Sequence, residues 1–269
     1  MICIYHADCP DGFGAAWVVN RWARQNEVSV RFIPAAYGDE PPDVAGQEVV
    51  IVDFWYPRDV LLEIHRQAKS LIVLDHHDGA REALAGLEFV RVGDQAGCMM
   101  AWGHFFYGCE PPLFLEYIQE GDLYRWKLDH SREVYAAICS YRQDFNLWSK
   151  WESRGAVYRL AEEGRAIMRE RNNQIAKLAN GPVVRVEIGG YNVPCVNAPH
   201  FLASDLCNLL AVGEPFAASY CDEANHRRFS LRATAASGVH VNQVARLYGG
   251  DGHERAAGFT IKKPEILGG

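Results

Sequence analysis

Leu71-Ile72-Val73-Leu74-Asp75-His76-His77, with Val49-Val50-Ile51-Val52-Asp53 upstream of it, decides how this chain folds. Each is a short apolar run, rich in β-branched residues, that stops abruptly at an aspartate. Such runs, lacking polar alternation, mark strands buried on both faces, as in a parallel sheet. A third run, Ile2-Cys3-Ile4-Tyr5, stops at His6 and opens the segment His6-Ala7-Asp8-Cys9-Pro10-Asp11-Gly12. In an open parallel sheet the carboxyl ends of the strands line one crevice, so residues distant in sequence converge there. Carboxylates and imidazoles gathered in one crevice make a donor set suited to divalent metal ions. Asp122, after an apolar helical stretch, and Gly249-Gly250-Asp251-Gly252-His253 near the C-terminus are further clusters of this kind.

Outward from these runs, periodicity predicts strands at 1–5, 29–34, 48–53, 71–75 and 88–92, with helices at 12–25, 58–68 and 80–85. That alternation is the pattern of a doubly wound α/β sheet. Residues 96–142 turn helical, at 96–107, 113–121 and 132–141. A long charged helix follows at 153–180, and Asn180-Gly181-Pro182 stops it. Its Arg and Glu residues read as a solvated face. Beyond it the pattern predicts strands at 183–188, 191–197, 216–222, 227–233 and 258–262, with helices at 201–211 and 239–247. Gly189-Gly190 reads as a hairpin turn. The expected fold is α/β, with an N-terminal doubly wound, mainly parallel sheet and a helical subregion, joined by a long helix to a smaller C-terminal α/β domain. The expected divisions are 1–150 for the metal-bearing domain, 151–181 for the connecting helix and 182–269 for the substrate-binding domain. A cleft between two domains is a natural substrate site.

Composition narrows the function. At 269 residues, 49% apolar and 23% charged, the chain is an ordinary globular protein with room for two domains. A formal net charge of −7 argues against a basic coat for gripping long duplexes. Short anionic substrates fit better, because bound cations invert the local potential. None of the eight cysteines forms a C-x-x-C pair, so a structural zinc site is not expected. With no signal-like N-terminus and no apolar segment of bilayer length, the thiols read as reduced and the expected compartment is the cytoplasm.

A lone aspartate after a strand is often only a turn or cap residue. Asp53 and Asp122 alone carry little weight, but two adjacent histidines preceded by Asp75 at the end of a buried strand carry more. Neighbours at a strand end point in opposite directions, so one histidine can bind metal while the other reaches substrate. Trp55 and Tyr56, after Asp53, either stack on a base or cap the crevice.

In this combination the chain resembles the DHH-family phosphoesterases, a group with RecJ-type exonucleases, nano-RNases, cyclic-dinucleotide phosphodiesterases, and polyphosphate and pyrophosphate hydrolases. Asp75-His76-His77 is the name-giving triplet, His6 through Gly12 the first motif, Asp53 the single-aspartate motif and Gly121-Asp122 the fourth. Gly249 through Gly258 resembles the glycine-rich signature of the family's associated C-terminal domain, and Phe229-Ser230-Leu231-Arg232 its preceding strand. The resemblance implies two divalent ions, manganese with magnesium as the alternative, bridged by Asp53. It places His6 at the first ion and Asp11, His76 and Asp122 at the second. His77 becomes a hydrogen-bond donor to phosphate and Asp75 the residue that orients a histidine.

Two positions depart from the family pattern. Where the first motif has an aspartate, this chain has Cys9; Asp8, one residue earlier, is the expected ligand, with Cys9 as the alternative. A thiolate there would favour softer metals. Asp251 replaces a glycine of the C-terminal signature, and a carboxylate in a phosphate loop must point outward or meet a cation. Gly249, Gly250 and Gly252 would expose amides to a phosphate, with His253 and Arg232 donating to the same anion. The expected activity is metal-dependent hydrolysis of short oligonucleotides to mononucleotides by an activated water, with no appended module for long substrates. A nucleoside 3′,5′-bisphosphate, a cyclic dinucleotide or polyphosphate is the alternative substrate. A nucleotide-binding protein that has lost turnover is the reading from another class.

Overall fold

The computed structural model describes residues 1–223 and 225–263. The last six residues of the expected second domain lie outside them. The chain forms two compact units, Met1–Met168 and Arg169–Gly269.

In the first unit the order is β1 (Ile2–His6), α1 (Pro10–Gln25), β2 (Arg31–Ala35), β3 (Glu48–Val52), α2 (Arg58–Gln67), β4 (Ser70–Asp75), α3 (Asp78–Ala83) and β5 (Val90–Val92). The strands form a sheet in the order β2-β1-β3-β4-β5, parallel throughout. Apolar side chains alternate between its faces. Cys3, Val50, Val52 and Leu74 join the core beneath α1, whereas Ile2, Ile4, Ile51 and Val73 join a second core with Leu61 and Ile64 of α2. Two buried faces explain why the strands read as continuous apolar runs, each fully buried Val, Ile or Leu contributing about 1.5–3 kcal/mol.

The helical subregion comprises α4 (Gly97–Phe105), α5 (Leu113–Asp122), α6 (Ser131–Ser140) and α7 (Phe145–Trp148). It closes over α1 through Trp17, Phe114, Ile118 and Trp148, all at most 1% exposed. The four-residue α7, absent from the sequence reading, is capped by the Asp144 carboxylate, which accepts from the Leu147 amide at 2.9 Å. Helix α8 (Arg154–Ala179) runs through the division at Met168.

The second unit holds β6 (Val184–Ile188), β7 (Tyr191–Asn197), α9 (Ala203–Leu210), β8 (Ala217–Asp222), β9 (His226–Arg232), α10 (Val241–Arg246), β10 (Asp251–His253) and β11 (Ala256–Lys262). Its sheet runs β10-β11-β9-β8-β7-β6. Only β7 and β8 pair in parallel, with α9 as their crossover; the other pairs are antiparallel. Gly189 and Gly190 join β6 to β7 with φ of +59° and +84°, the left-handed pair that a two-residue hairpin requires.

Candidate metal centre

In a sheet ordered β2-β1-β3-β4-β5, the connections leaving β1 and β3 diverge, and the crevice between their carboxyl ends is where ligands bind. His6 ends β1, Asp53 follows β3, and Asp75 ends β4 with His76 and His77 just beyond. Asp53 takes φ +54°, a left-handed conformation that aspartate tolerates better than most residues. Its amide donates to Leu74 O at 2.9 Å, tying the end of β3 to β4. Helix α4 begins so close that a Cβ on Gly97 would lie 2.5 Å from the Asp53 Cβ. Only glycine fits there.

His76 stands at the middle of the carboxylates. Its Nε2 lies 3.1 Å from Asp53 Oδ1, 3.4 Å from Asp122 Oδ2 and 3.6 Å from Asp11 Oδ2. Asp11, His76 and Asp122 each offer a donor atom within 4.8 Å of the others. The amides of Gly97 and Cys98, at the start of α4, donate to the fully buried Asp11 at 2.5 and 2.8 Å. These two amides belong to no motif; the only sequence signal is a run of small residues opening a helix.

A second trio, His6, Cys9 and Asp53, has donor atoms within the same distance of one another. His6 Nδ1 and Asp53 Oδ2 face each other at 3.6 Å, and both are buried without a hydrogen-bond partner. Buried polar atoms are nearly always satisfied, so such a pair calls for an ion or water between them. Asp8 is exposed, with φ +52°, and no such trio among the described residues includes it. The left-handed turn at Asp8 sends its carboxylate to solvent and brings the next side chain, Cys9, to His6 and Asp53.

Asp75 works differently. It is fully buried, and its Oδ1 accepts from the His76 amide at 2.6 Å and the His77 amide at 3.1 Å. The same oxygen lies 2.6 Å from His77 Nδ1. This leaves the Nε2 edge of His77 to face the crevice, with the ring 6.0 Å from that of His6. Tyr37, in the loop after β2, is half exposed and edges against His6 and His77 at ring separations of 5.6 and 6.2 Å. No motif pointed to Tyr37. Tyr56 is buried against Phe54, so it packs under the crevice and presents no face to a base, while Trp55 is partly buried beside Tyr37.

Electrostatics match a cation site. Burial disfavours the Asp53 carboxylate, but the nearby His6 ring, the hydrogen bond from His76 and the charges of His77 and His76 outweigh it and hold the group well below its usual range. Burial also pushes Asp11 up, reinforced by the charges of Asp53 and Asp122, so it sits well above the ordinary carboxylate value. His76 loses by burial yet gains more from Asp53, Asp122 and Asp11, and is raised to about 10. Burial and the charges of Asp53, Asp122 and Asp11 push the Cys9 thiol up. The trios His6-Cys9-Asp53 and Asp11-His76-Asp122, linked by the 3.1 Å approach of His76 Nε2 to Asp53 Oδ1, with orphaned buried atoms on His6 and Asp53, fit a pair of divalent ions.

The second unit holds the other expected site residues. His253 of β10 pairs with Ala256 of β11, and Ala256 pairs with Arg232 of β9. Residues directly opposite share a face, so His253 and Arg232 lie in one row across three strands, about 9–10 Å apart, with only a methyl group between them. Arg232 donates to Ser204 Oγ at 2.7 Å and to Leu231 O at 2.9 Å, which fixes its fork. Gly249 takes φ +75°, and Cβ atoms on Gly250 and Gly252 would strike the backbone of β11. Close strand packing requires glycine at 250 and 252, and the left-handed backbone favours it at 249. Asp251 meets a cation, Arg246 Nε at 3.2 Å.

Comparison with known proteins agrees with this architecture. No family model matches the chain. The uncharacterized protein R106 of Acanthamoeba polyphaga mimivirus is 25% identical over 97% of this chain and 67% of its own length. Among solved structures, the pGpG-specific phosphodiesterase PggH from Vibrio cholerae aligns over 97% of this chain and 93% of its own, with TM-score 0.55 and 11% identity. An exopolyphosphatase-related protein from Bacteroides fragilis aligns over 100% and 87%, with TM-score 0.55 and 13% identity. RecJ from Thermus thermophilus, in complex with Mn2+, aligns over 97% of this chain and 49% of its own, with TM-score 0.54 and 13% identity. The chain shares the fold of these three structures. No helix among the described residues is long and apolar enough to cross a membrane.

Proposed function

We propose that the protein is a metal-dependent phosphodiesterase that hydrolyses short oligonucleotides to mononucleotides. The observation that carries this reading is the convergence of Asp11, Asp53, His76, Asp122 and His6 at the sheet's switch point, with unsatisfied buried atoms facing inward. Asp53 would serve both ions, His6 would contribute to the first, and Asp11, His76 and Asp122 would hold the second. When bound, a pair of divalent ions, manganese or magnesium, supplies Lewis-acid charge neutralisation and lowers the pKa of a nearby water.

The chain's own residues do the rest. Asp75 fixes the His77 ring through Nδ1 and so aims Nε2 at the crevice, where it donates to a phosphoryl oxygen. Burial disfavours the charged ring, but the hydrogen bond and charge of Asp75 raise His77 above its ordinary value, which suits a donor to an anion. In the second unit, the row of His253 and Arg232 supplies two cationic or donor groups separated by a spacing suited to a phosphate and its neighbour. The formal net charge of −7 favours short substrates over long duplexes.

The test is a manganese-dependent hydrolysis panel of a short RNA, the matching DNA, a nucleoside 3′,5′-bisphosphate, a cyclic dinucleotide and polyphosphate, with His76→Ala as control. Stepwise release of single nucleotides from the RNA or DNA, lost in the control, supports the reading. Activity confined to the bisphosphate, cyclic dinucleotide or polyphosphate keeps the chemistry and replaces the substrate. No turnover, with fewer than two ions bound per chain, replaces the enzyme by a binding protein.

A further inference from the structure

We infer that Cys9 is a ligand of the first ion, making the His6, Cys9 and Asp53 position a thiolate site for a borderline-soft divalent ion such as zinc, cobalt or iron(II). This rests on the two-ion reading above and adds that the two positions differ in kind. At the second, Asp11, His76 and Asp122 offer only oxygen and nitrogen, suited to manganese or magnesium. At the first, the sulfur of Cys9 lies within 4.8 Å of the His6 and Asp53 donors.

Three observations support it independently of one another. Asp53 is 1% exposed, yet its Oδ2 has no hydrogen-bond partner, and neither has the buried His6 Nδ1 opposite it. At 3.6 Å the two do not satisfy each other, and a cation between them would satisfy both. Of the motif's two carboxylates, Asp11 lies with His76 and Asp122, and Asp8 is turned to solvent by its left-handed backbone. Cys9 itself is the N-cap of α1, a 16-residue helix, so its place beside His6 and Asp53 is set by the start of that helix. On binding, the S–H bond breaks, its proton passes to bulk water, and the sulfur electron pair forms the bond to the ion; nothing is oxidised. The thiolate and the Asp53 carboxylate then balance the two charges of the ion, with His6 neutral.

The experiment is a cobalt(II) titration of the metal-stripped, full-length protein. Cobalt bound through sulfur gives an intense near-ultraviolet charge-transfer band, whereas oxygen and nitrogen ligands give only weak visible bands. The expected result is a charge-transfer band that saturates at one equivalent, is lost in Cys9→Ser with the visible bands retained, and persists in Cys98→Ser. Cys9→Asp should lose the band too and shift the zinc-over-manganese preference towards manganese by roughly tenfold or more. Either substitution reads out the same ligand if the other fails to fold, as followed by circular dichroism. Cobalt bound to the wild type without the band, or a band that survives in Cys9→Ser and Cys9→Asp, overturns the assignment of Cys9 and leaves the two-ion reading standing. Absence of cobalt uptake overturns both.

Discussion

His6 Nδ1 faces Asp53 Oδ2 across 3.6 Å, and neither buried atom has a hydrogen-bond partner. With neither ion nor water between them, two such atoms would cost about 1–3 kcal/mol each. An ion that binds only the folded chain offsets that cost. At a manganese concentration of 100 times the dissociation constant the gain is about 2.7 kcal/mol per site. Thermal melts with chelator and with manganese should differ accordingly, and Asp53→Asn should abolish most of the difference. Equal melting temperatures in the wild type would remove the metal centre from consideration.

Metal binding should release protons. His76 is raised to about 10 from an ordinary 6.5, so the metal-free protein keeps the ring charged at neutral pH. A raised folded-state value stabilises the metal-free chain fully below pH 6.5, and that contribution fades as pH climbs towards 10. An ion needs the neutral ring, so affinity rises with pH through the same window. Calorimetric titrations near neutral pH, in two buffers of different ionisation enthalpy, should show about one proton or more released per chain. Heats independent of the buffer would contradict the charged state of His76.

His77 and the metal ligands should separate by their kinetics. His77→Ala leaves both trios intact, so the number of bound ions should not change while kcat falls roughly 10²–10³-fold. Asp75→Asn should fall in the same direction by a smaller factor, because its amide still positions the ring at one oxygen but no longer supports its charge. Loss of bound metal in His77→Ala would make it a ligand.

Gly97 lies against Asp53, and its amide holds Asp11 at 2.5 Å. In Gly97→Ala the new methyl group has no room, so a cost of about 1–3 kcal/mol is expected from displaced packing. Metal affinity should fall as well, since both touched residues are proposed ligands. A variant that loses stability but binds metal as tightly as the wild type would show that α4 does not position the centre.

In the second unit, Arg232→Ala and His253→Ala should raise KM for a short oligonucleotide while leaving hydrolysis of a small chromogenic phosphodiester unchanged. The row they share across β9, β11 and β10 makes them additive only if they contact different phosphates. Unchanged KM in both variants would assign the glycine signature to strand packing alone.

Much of this was legible in the chain itself. Val49 through Val52 and Leu71 through Leu74 specify buried parallel strands because the pattern of apolar side chains is local, and the strands end where the aspartates begin. Element existence followed from such patterns; the four-residue α7 and the three-residue β10 did not, being too short to show a period. His6, Asp11, Asp53, His76 and Asp122 could be named together only because five weak signals fell in one motif set.

Whether Asp8 or Cys9 turns inward was not legible. It depends on one left-handed φ of +52° at Asp8, a long-range outcome of how β1 feeds α1 against the sheet. The amides of Gly97 and Cys98 on Asp11, and the placement of Tyr37 beside His6, likewise arise between segments tens of residues apart. The common row of Arg232 and His253 depends on strand register, which a slip of one residue would reverse. The sequence by itself determined which chemical groups the protein has and the strands that carry them, because side-chain periodicity is a property of near neighbours. Only the tertiary structure decided which of those groups meet, because burial, backbone handedness and register are set by packing across the whole unit.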